Sequence, residues 1–214
     1  MKGTKIDFSV WPRTEVFQHF VTDVKCLISV TADVDVESMV AFCRQKQLRF
    51  FPSFMYVVST VVNRRDEFRM GYDEVGDVVV WDVVHPSYID FHEQDESITR
   101  LISIFSADFE RFYTTVTQDM ETHKNKRGFE VPYDCPNTFD VSCLPWLYYK
   151  SLDLSVFSPH AYLAPVITWG KYIKRDEGLM MPLSIRIHHS VADGFHIARF
   201  YGEIEAELRA FCKK

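Results

Sequence analysis

The spacing of apolar and polar positions along the chain predicts an interleaved set of helices and strands. Residues 35–48, "VDVESMVAFCRQKQ", repeat apolar positions at helical spacing and predict an amphipathic helix beginning near Asp35. "SFMYVVSTVVNRR" (53–65) follows a proline and carries a wide apolar face, so it predicts a largely buried helix. "FRMGYDEVGDVVVWDVV" (68–84) reads as a hairpin turning near Glu74–Asp77. "ADFERFYTTVTQDMETHK" (107–124) supplies a third helix, and the polar stretch from Lys124 to Thr138, with Pro132 and Pro136, predicts a loop. "AYLAPVITWGKYI" and "LMMPLSIRIHH" read as strands joined by the charged turn at 174–178. After Asp193–Gly194 the period changes: Ile197, Phe200, Tyr201, Ile204, Leu208 and Phe211 fall on one stripe of a C-terminal helix.

No repeat, low-complexity tract or long linker divides the chain, so residues 1–214 read as one domain. Strands and helices alternate without a regular βαβ rhythm, which gives an α/β or α+β class with a mixed sheet. Composition adds little except in its aromatics, 15% of residues with 18 Phe and 10 Tyr, which favour β-rich structure and flat-walled pockets. A net charge of −6 with no basic stripe argues against a general nucleic-acid binder. No apolar stretch approaches the roughly 18–20 residues that cross a bilayer. The N-terminal "MKGTKIDFSVWPR" lacks the apolar core of a secretory signal. Cys26, Cys43, Cys135, Cys143 and Cys212 are odd in number and contain no CxxC, which reads as reduced thiols in a cytoplasmic protein. Cys43 and Cys212 fall in helical patterns and read as core filling.

The chemistry concentrates in "MPLSIRIHHSVADGFHIARF" (181–200). Strand alternation puts Leu183, Ile185, Ile187 and His189 on one face and Ser184, Arg186 and His188 on the other. His189 would then be shielded from water, hence neutral near pH 7 and able to take a proton from a hydroxyl. The competing reading is a hydrogen-bonded core histidine. Asp193 stands where the C-terminal helix begins, so it reads equally as an N-cap. A metal bound by His188, His189 and His196 is a poor fit, because the adjacent pair points apart and no second ligand cluster supports it. Ser142 and Cys143 in "FDVSCLPW" lie outside any GxSxG elbow.

"HHSVADGFH" resembles the HHxxxDG motif of the chloramphenicol acetyltransferase family, a shorter form of which occurs in the acyltransferase cores of 2-oxo acid dehydrogenase complexes. "WPRTEVF", "FFPSFMYVV", "DEFRM", "VVVWDVVHPSYIDFHEQDES", "SCLPW", "LAPVITWGKY" and the motif segment itself resemble that family in order along the whole chain. The resemblance implies an α+β two-layer sandwich, a mixed β-sheet with helices packed on one side. It also implies a homotrimer with active sites at subunit interfaces. Chloramphenicol and the co-substrate acetyl-CoA would enter from opposite ends of a tunnel, with no tightly bound cofactor and no metal.

On this resemblance His189 is the general base acting on the 3-hydroxyl of chloramphenicol, and the oxygen attacks the thioester directly. Asp193 would pair with Arg13, and a buried carboxylate losing such a partner costs about 3–5 kcal/mol. Ser142 matches the serine that hydrogen-bonds the oxyanion, and Thr168 a threonine that holds a nearby water. Phe20, Leu154 and Ile98 match substrate-binding positions, and Arg49 and Lys171 match basic residues near the coenzyme A phosphates. The pattern departs at Ser155, Phe157 and Ser158, at Ile98 in place of an aromatic, and at Trp169 in place of a methionine. The hairpin near Glu74–Asp77 is one residue longer. These changes leave room for another hydroxyl acceptor within the same fold. The intact set His189, Asp193, Arg13 and Ser142 weighs against a lapsed binding protein.

Overall fold

A computed structural model describes residues 2–130, 135–156 and 160–213. The strands are β1 (Gly3–Lys5), β2 (Leu27–Asp35), β3 (Met70–Tyr72), β4 (Val78–Trp81), β5 (His85–His92), β6 (Ser97–Ile102), β7 (Thr138–Leu144), β8 (Val166–Gly170), β9 (Ile173–Arg175) and β10 (Gly178–His188). The helices are α1 (Thr14–Gln18), α2 (Glu37–Lys46), α3 (Phe50–Val62), α4 (Phe109–His123) and α5 (Gly194–Phe211), with a π-helical turn at His19–Asp23. The large sheet runs β2-β10-β8-β7-β5-β6, with β9 hairpinned onto β10. Its β5–β7 and β7–β8 pairs are parallel and the others antiparallel, so the expected mixed sheet is present. A small sheet, β1-β4-β3, contains the hairpin expected near Glu74–Asp77.

One face of the large sheet packs on the helices. Leu183, Ile185 and Ile187 of β10, Ile167 and Trp169 of β8 and Tyr88 of β5 share a core with α3 and α5. Trp169, the departure from the methionine pattern, is 1% exposed and meets Phe54 and Phe51 of α3 at 4.9 and 5.5 Å between ring centroids. It serves that packed layer and not an acceptor pocket. The buried stripe of α5 holds Ile197, Phe200, Ile204, Leu208 and Phe211 as expected, while Tyr201 is half-buried and donates from Oη to the carbonyls of Val30 and Leu183.

Three expectations need correction. The second helix begins at Phe50, three residues earlier than the sequence pattern suggested, with Pro52 inside its first turn. There the missing N–H is one that has no intrahelical partner anyway. Cys43 is core, whereas Cys212 is only half-buried, packed against the core just past α5; Cys26, Cys43, Cys143 and Cys212 are free. The third concerns the histidine pair. β10 ends at His188, which is 4% exposed, whereas His189 lies in the following turn and is only half-buried. The alternation rule stops applying where the strand does, so the shielded histidine is His188.

The other face of the sheet is polar. Register aligns Thr31, Ser184, Thr168 and Ser142 across β2, β10, β8 and β7. Residues 145–156 cross over part of this face. Leu152 exchanges hydrogen bonds with Thr31 and Ser29, and Tyr149 Oη donates to the Thr168 carbonyl.

Candidate active site

His189 is fixed from three directions. Its backbone N–H donates to the Cys26 carbonyl at 2.9 Å, extending the β2–β10 pairing by one residue. Its Nδ1 lies 3.0 Å from the Ala192 carbonyl oxygen, and its ring stacks on Phe20 with centroids 4.1 Å apart and planes at 15°. A carbonyl only accepts, so that contact places a proton on Nδ1 and leaves the Nε2 lone pair for chemistry. Phe20, expected at the substrate, thus also holds the ring of the candidate base. His188 Nδ1 meets Ser190 Oγ at 2.8 Å; burial, then the charges of Arg186 and His189, push its pKa down.

Asp193 combines both of its readings. It caps α5, with Oδ1 accepting from the Phe195 N–H at 3.0 Å, and Oδ2 lies 3.1 Å from Arg13 Nη1. His196 completes a capping box, its Nδ1 lying 2.9 Å from Asp193 Oδ1 and 3.2 Å from the Asp193 backbone nitrogen. Burial alone would raise the Asp193 carboxyl, but hydrogen bonds from His196 and Arg13 bring it down to about 2. The His196 role was missed from sequence; its signal was the N-cap to N3 spacing.

Ser142 is half-buried at the β7 end of the polar row, directly beside Thr168. The Thr168 side chain is 2% exposed, and its Oγ1 has no hydrogen-bond partner among the described residues. A buried hydroxyl in that state suits a bound water or ligand oxygen. Cys143, on the opposite face, is held by burial up to about 12, opposed only by its contact with Trp169, which argues against a thiolate nucleophile.

Beyond the ends of β7 and β8, two cavities of about 420 and 400 Å³ share Phe51, Cys143 and Pro145. Lys171 lines the second, and exposed Arg49 immediately precedes Phe50 in its wall. Arg49 also opposes the burial that raises Asp90, a residue of the first cavity. Lys171 thus lies in the wall of one cavity and Arg49 next to the wall of the same one.

The remaining substrate positions do not converge within one chain. Ile98 lies half-buried on β6 opposite Phe91, Leu154 is 48% exposed in the crossing segment, and Phe20 sits beside His189. Phe157 and Ser158 lie outside the described residues, whereas Ser155 hydrogen-bonds Asp153 at 3.4 Å. Ser142 is two strands over from Ser184, and His189 lies five residues beyond Ser184, one past the end of β10. Strand geometry therefore separates Ser142 from His189 by roughly 19 Å.

Two arginines lie on this face, Arg186, which strand alternation had already placed there, and Arg100, which had not been singled out. Arg186 is 3% exposed with Asp153 at 3.4 Å, and its Nε and Nη2 have no hydrogen-bond partner among the described residues. Arg100, on the same face as Ile98, donates from Nε to Ser87 Oγ at 2.9 Å. Both follow from strand alternation, as residues two along from positions already of interest.

A histidine at the end of a strand stands beside a polar sheet face, and solved acyltransferase structures share the fold. One named chloramphenicol acetyltransferase superposes with a TM-score of 0.86 at 24% identity, covering 97% of this chain and all of that one. A dihydrolipoamide acetyltransferase from Azotobacter vinelandii gives 0.63 at 15% identity, covering 87% and 84%. The family model for chloramphenicol acetyltransferase matches residues 1–205. Proteins of that name from Proteus mirabilis and Streptomyces acrimycini are 36% and 37% identical. The first match covers 97% of this chain and 95% of the relative, the second 95% and 93%. The chain belongs to the chloramphenicol acetyltransferase family.

Proposed function

We propose that the protein transfers the acetyl group of acetyl-CoA to the 3-hydroxyl of chloramphenicol, inactivating the antibiotic and conferring resistance in the cytoplasm. The observation that carries this reading is the contact of His189 Nδ1 with the Ala192 carbonyl, because it turns Nε2 toward a base's role. In the reaction Nε2 takes the hydroxyl proton as the alcohol oxygen bonds to the thioester carbonyl carbon. The Ser142 hydroxyl donates to the oxyanion, and a water held by Thr168 adds a second polar contact. Collapse of the tetrahedral intermediate breaks the carbon–sulfur bond, and the imidazolium returns its proton to the coenzyme A thiolate. No acyl-enzyme forms and no tightly bound cofactor is used. Arg49 and Lys171 steady the coenzyme phosphates.

The roughly 19 Å between His189 and Ser142 exceeds the span of one tetrahedral centre. The two halves of each site therefore come from neighbouring copies, which supports a homotrimer with sites at its interfaces. Phe20 then accompanies the base, while Ile98 belongs with the Ser142 half and Leu154 closes over the acceptor.

The test is coenzyme A release with chloramphenicol as acceptor. His189→Ala lowers turnover by about 10²–10⁴, the range of a general base, with an unchanged circular dichroism spectrum and oligomeric mass. Turnover at the wild-type rate in that variant would remove His189 from the mechanism.

A further inference from the structure

The face that carries Ser142 is more polar than an apolar acceptor needs. Asp140 precedes Ser142 by two residues and so shares its face of β7. Register places Asp140 beside Ser87 of β5, and Arg100 lies on the same face two strands from Ser142, with Ile89 between. Ser87 Oγ accepts from Arg100 Nε at 2.9 Å, and Tyr162 Oη donates to Asp140 Oδ2 at 2.5 Å. Burial pushes the Asp140 carboxyl up, while the Tyr162 hydrogen bond and the Arg100 charge pull the other way. Arg100 and Tyr162 also line a cavity of about 690 Å³, together with Thr138, which is two residues before Asp140. The two hydrogen-bonded pairs sit side by side, Ser87 beside Asp140 in register, and the cavity lined by Arg100, Thr138 and Tyr162 lies next to them.

The chemistry of that cluster narrows what it can take. An apolar ring pressed onto it would strip water from a guanidinium and a carboxylate and return no hydrogen bond. An anion would meet Asp140, and a cation would meet Arg100. A neutral group with both a donor and an acceptor satisfies the two together. Arg186, in the same cross-strand row as Asp140 with Val166 between, adds a second guanidinium with unmet donors to this face.

We propose that Arg100 and Asp140, tied in by Ser87 and Tyr162, are specificity-determining residues that recognise a neutral hydroxyl or amide group of the acceptor alcohol. The enzyme consequently prefers acceptors that carry such a group at the end where chloramphenicol has its nitro group or its chlorines. This rests on the acyl-transfer reading given above.

The experiment measures kcat/KM for three alcohols by coenzyme A release. They are chloramphenicol, its analogue with a primary carboxamide in place of the nitro group, and its analogue with a hydroxyacetyl in place of the dichloroacetyl group. The wild type favours at least one analogue over chloramphenicol by about tenfold, the scale of one well-placed hydrogen-bond pair. Arg100→Ala abolishes that preference through KM for the acceptor, while KM for acetyl-CoA and the thermal midpoint stay close to wild type. Asp140→Asn, which keeps the shape and a partner for Tyr162, reduces the preference in the same direction. Chloramphenicol turnover with no preference for either analogue, or a preference that survives Arg100→Ala, overturns the proposal and leaves the acyl-transfer reading standing. No release with any of the three alcohols overturns both.

Discussion

Asp193 connects three separate neighbours, and its environment sets how each responds to pH. Its side chain is 37% exposed, so solvent screens the pair with Arg13 to at most about 1 kcal/mol, well below the cost expected of a buried pair. Asparagine still caps a helix, so Asp193→Asn isolates the charge and spares the cap. The folded carboxyl at about 2 lies below its ordinary value of 3.8. A depressed carboxyl contributes stability that is present above the unfolded value and lost as pH falls through the folded one. The thermal midpoint of Asp193→Asn at pH 7 is therefore lower than wild type by about 2–4 °C, on the scale of 1 kcal/mol in a chain of this size. That gap closes between about pH 4 and pH 2. Activity falls with stability, because Ala192, whose carbonyl orients His189, is the residue just before the cap. Scanning calorimetry across that pH range checks the first outcome. A fully stable but inactive Asp193→Asn would instead give the carboxylate a direct part in the chemistry.

At the level of elements, the close of β8 has the least room. A Cβ on Gly170 would come within 2.6 Å of the Leu147 carbonyl, 2.8 Å of the Tyr149 ring and 2.9 Å of Pro182. The first of these is backbone and cannot swing aside. Gly170→Ala is expected to cost about 1–3 kcal/mol as overpacking. It should raise KM for acetyl-CoA more than KM for the acceptor, since Gly170 lines the cavity that Lys171 shares. Urea unfolding and initial rates test both; a neutral substitution would mean the 145–156 segment lies less tightly on the sheet. Elements of this kind were legible to different degrees. The helix α5 could be read directly because its period is long, whereas the single strand expected over 161–173 breaks into β8 and β9, and Lys174 and Arg175 of the expected charged turn belong to β9. The start of α3 was misplaced because a proline was taken as a boundary, when it fits inside a first turn. His189 was found by its motif but put in the wrong environment, because alternation was carried one residue past the strand. Arg100 and Asp140 were invisible until register brought β5, β6 and β7 together, since they are distant in sequence and lie in no shared motif.

For the whole molecule, the separation of His189 from Ser142 leads to a prediction that no single-chain enzyme meets. His189→Ala and Ser142→Ala variants are each nearly inactive alone, because every site lacks its base or its oxyanion donor. Unfolded together in equal amounts and refolded, they mix at random within closed oligomers. On the proposed assembly each site draws His189 from one chain and Ser142 from its neighbour. The chance that both are intact is one half times one half, so about a quarter of wild-type turnover returns. Were both residues supplied by one chain, every chain would carry a defect and mixing would restore nothing. The yield also reports on the interface: reassociation without denaturation, at the same quarter, would show that copies exchange freely. Recovery only after unfolding would show that the assembly, once formed, stays closed.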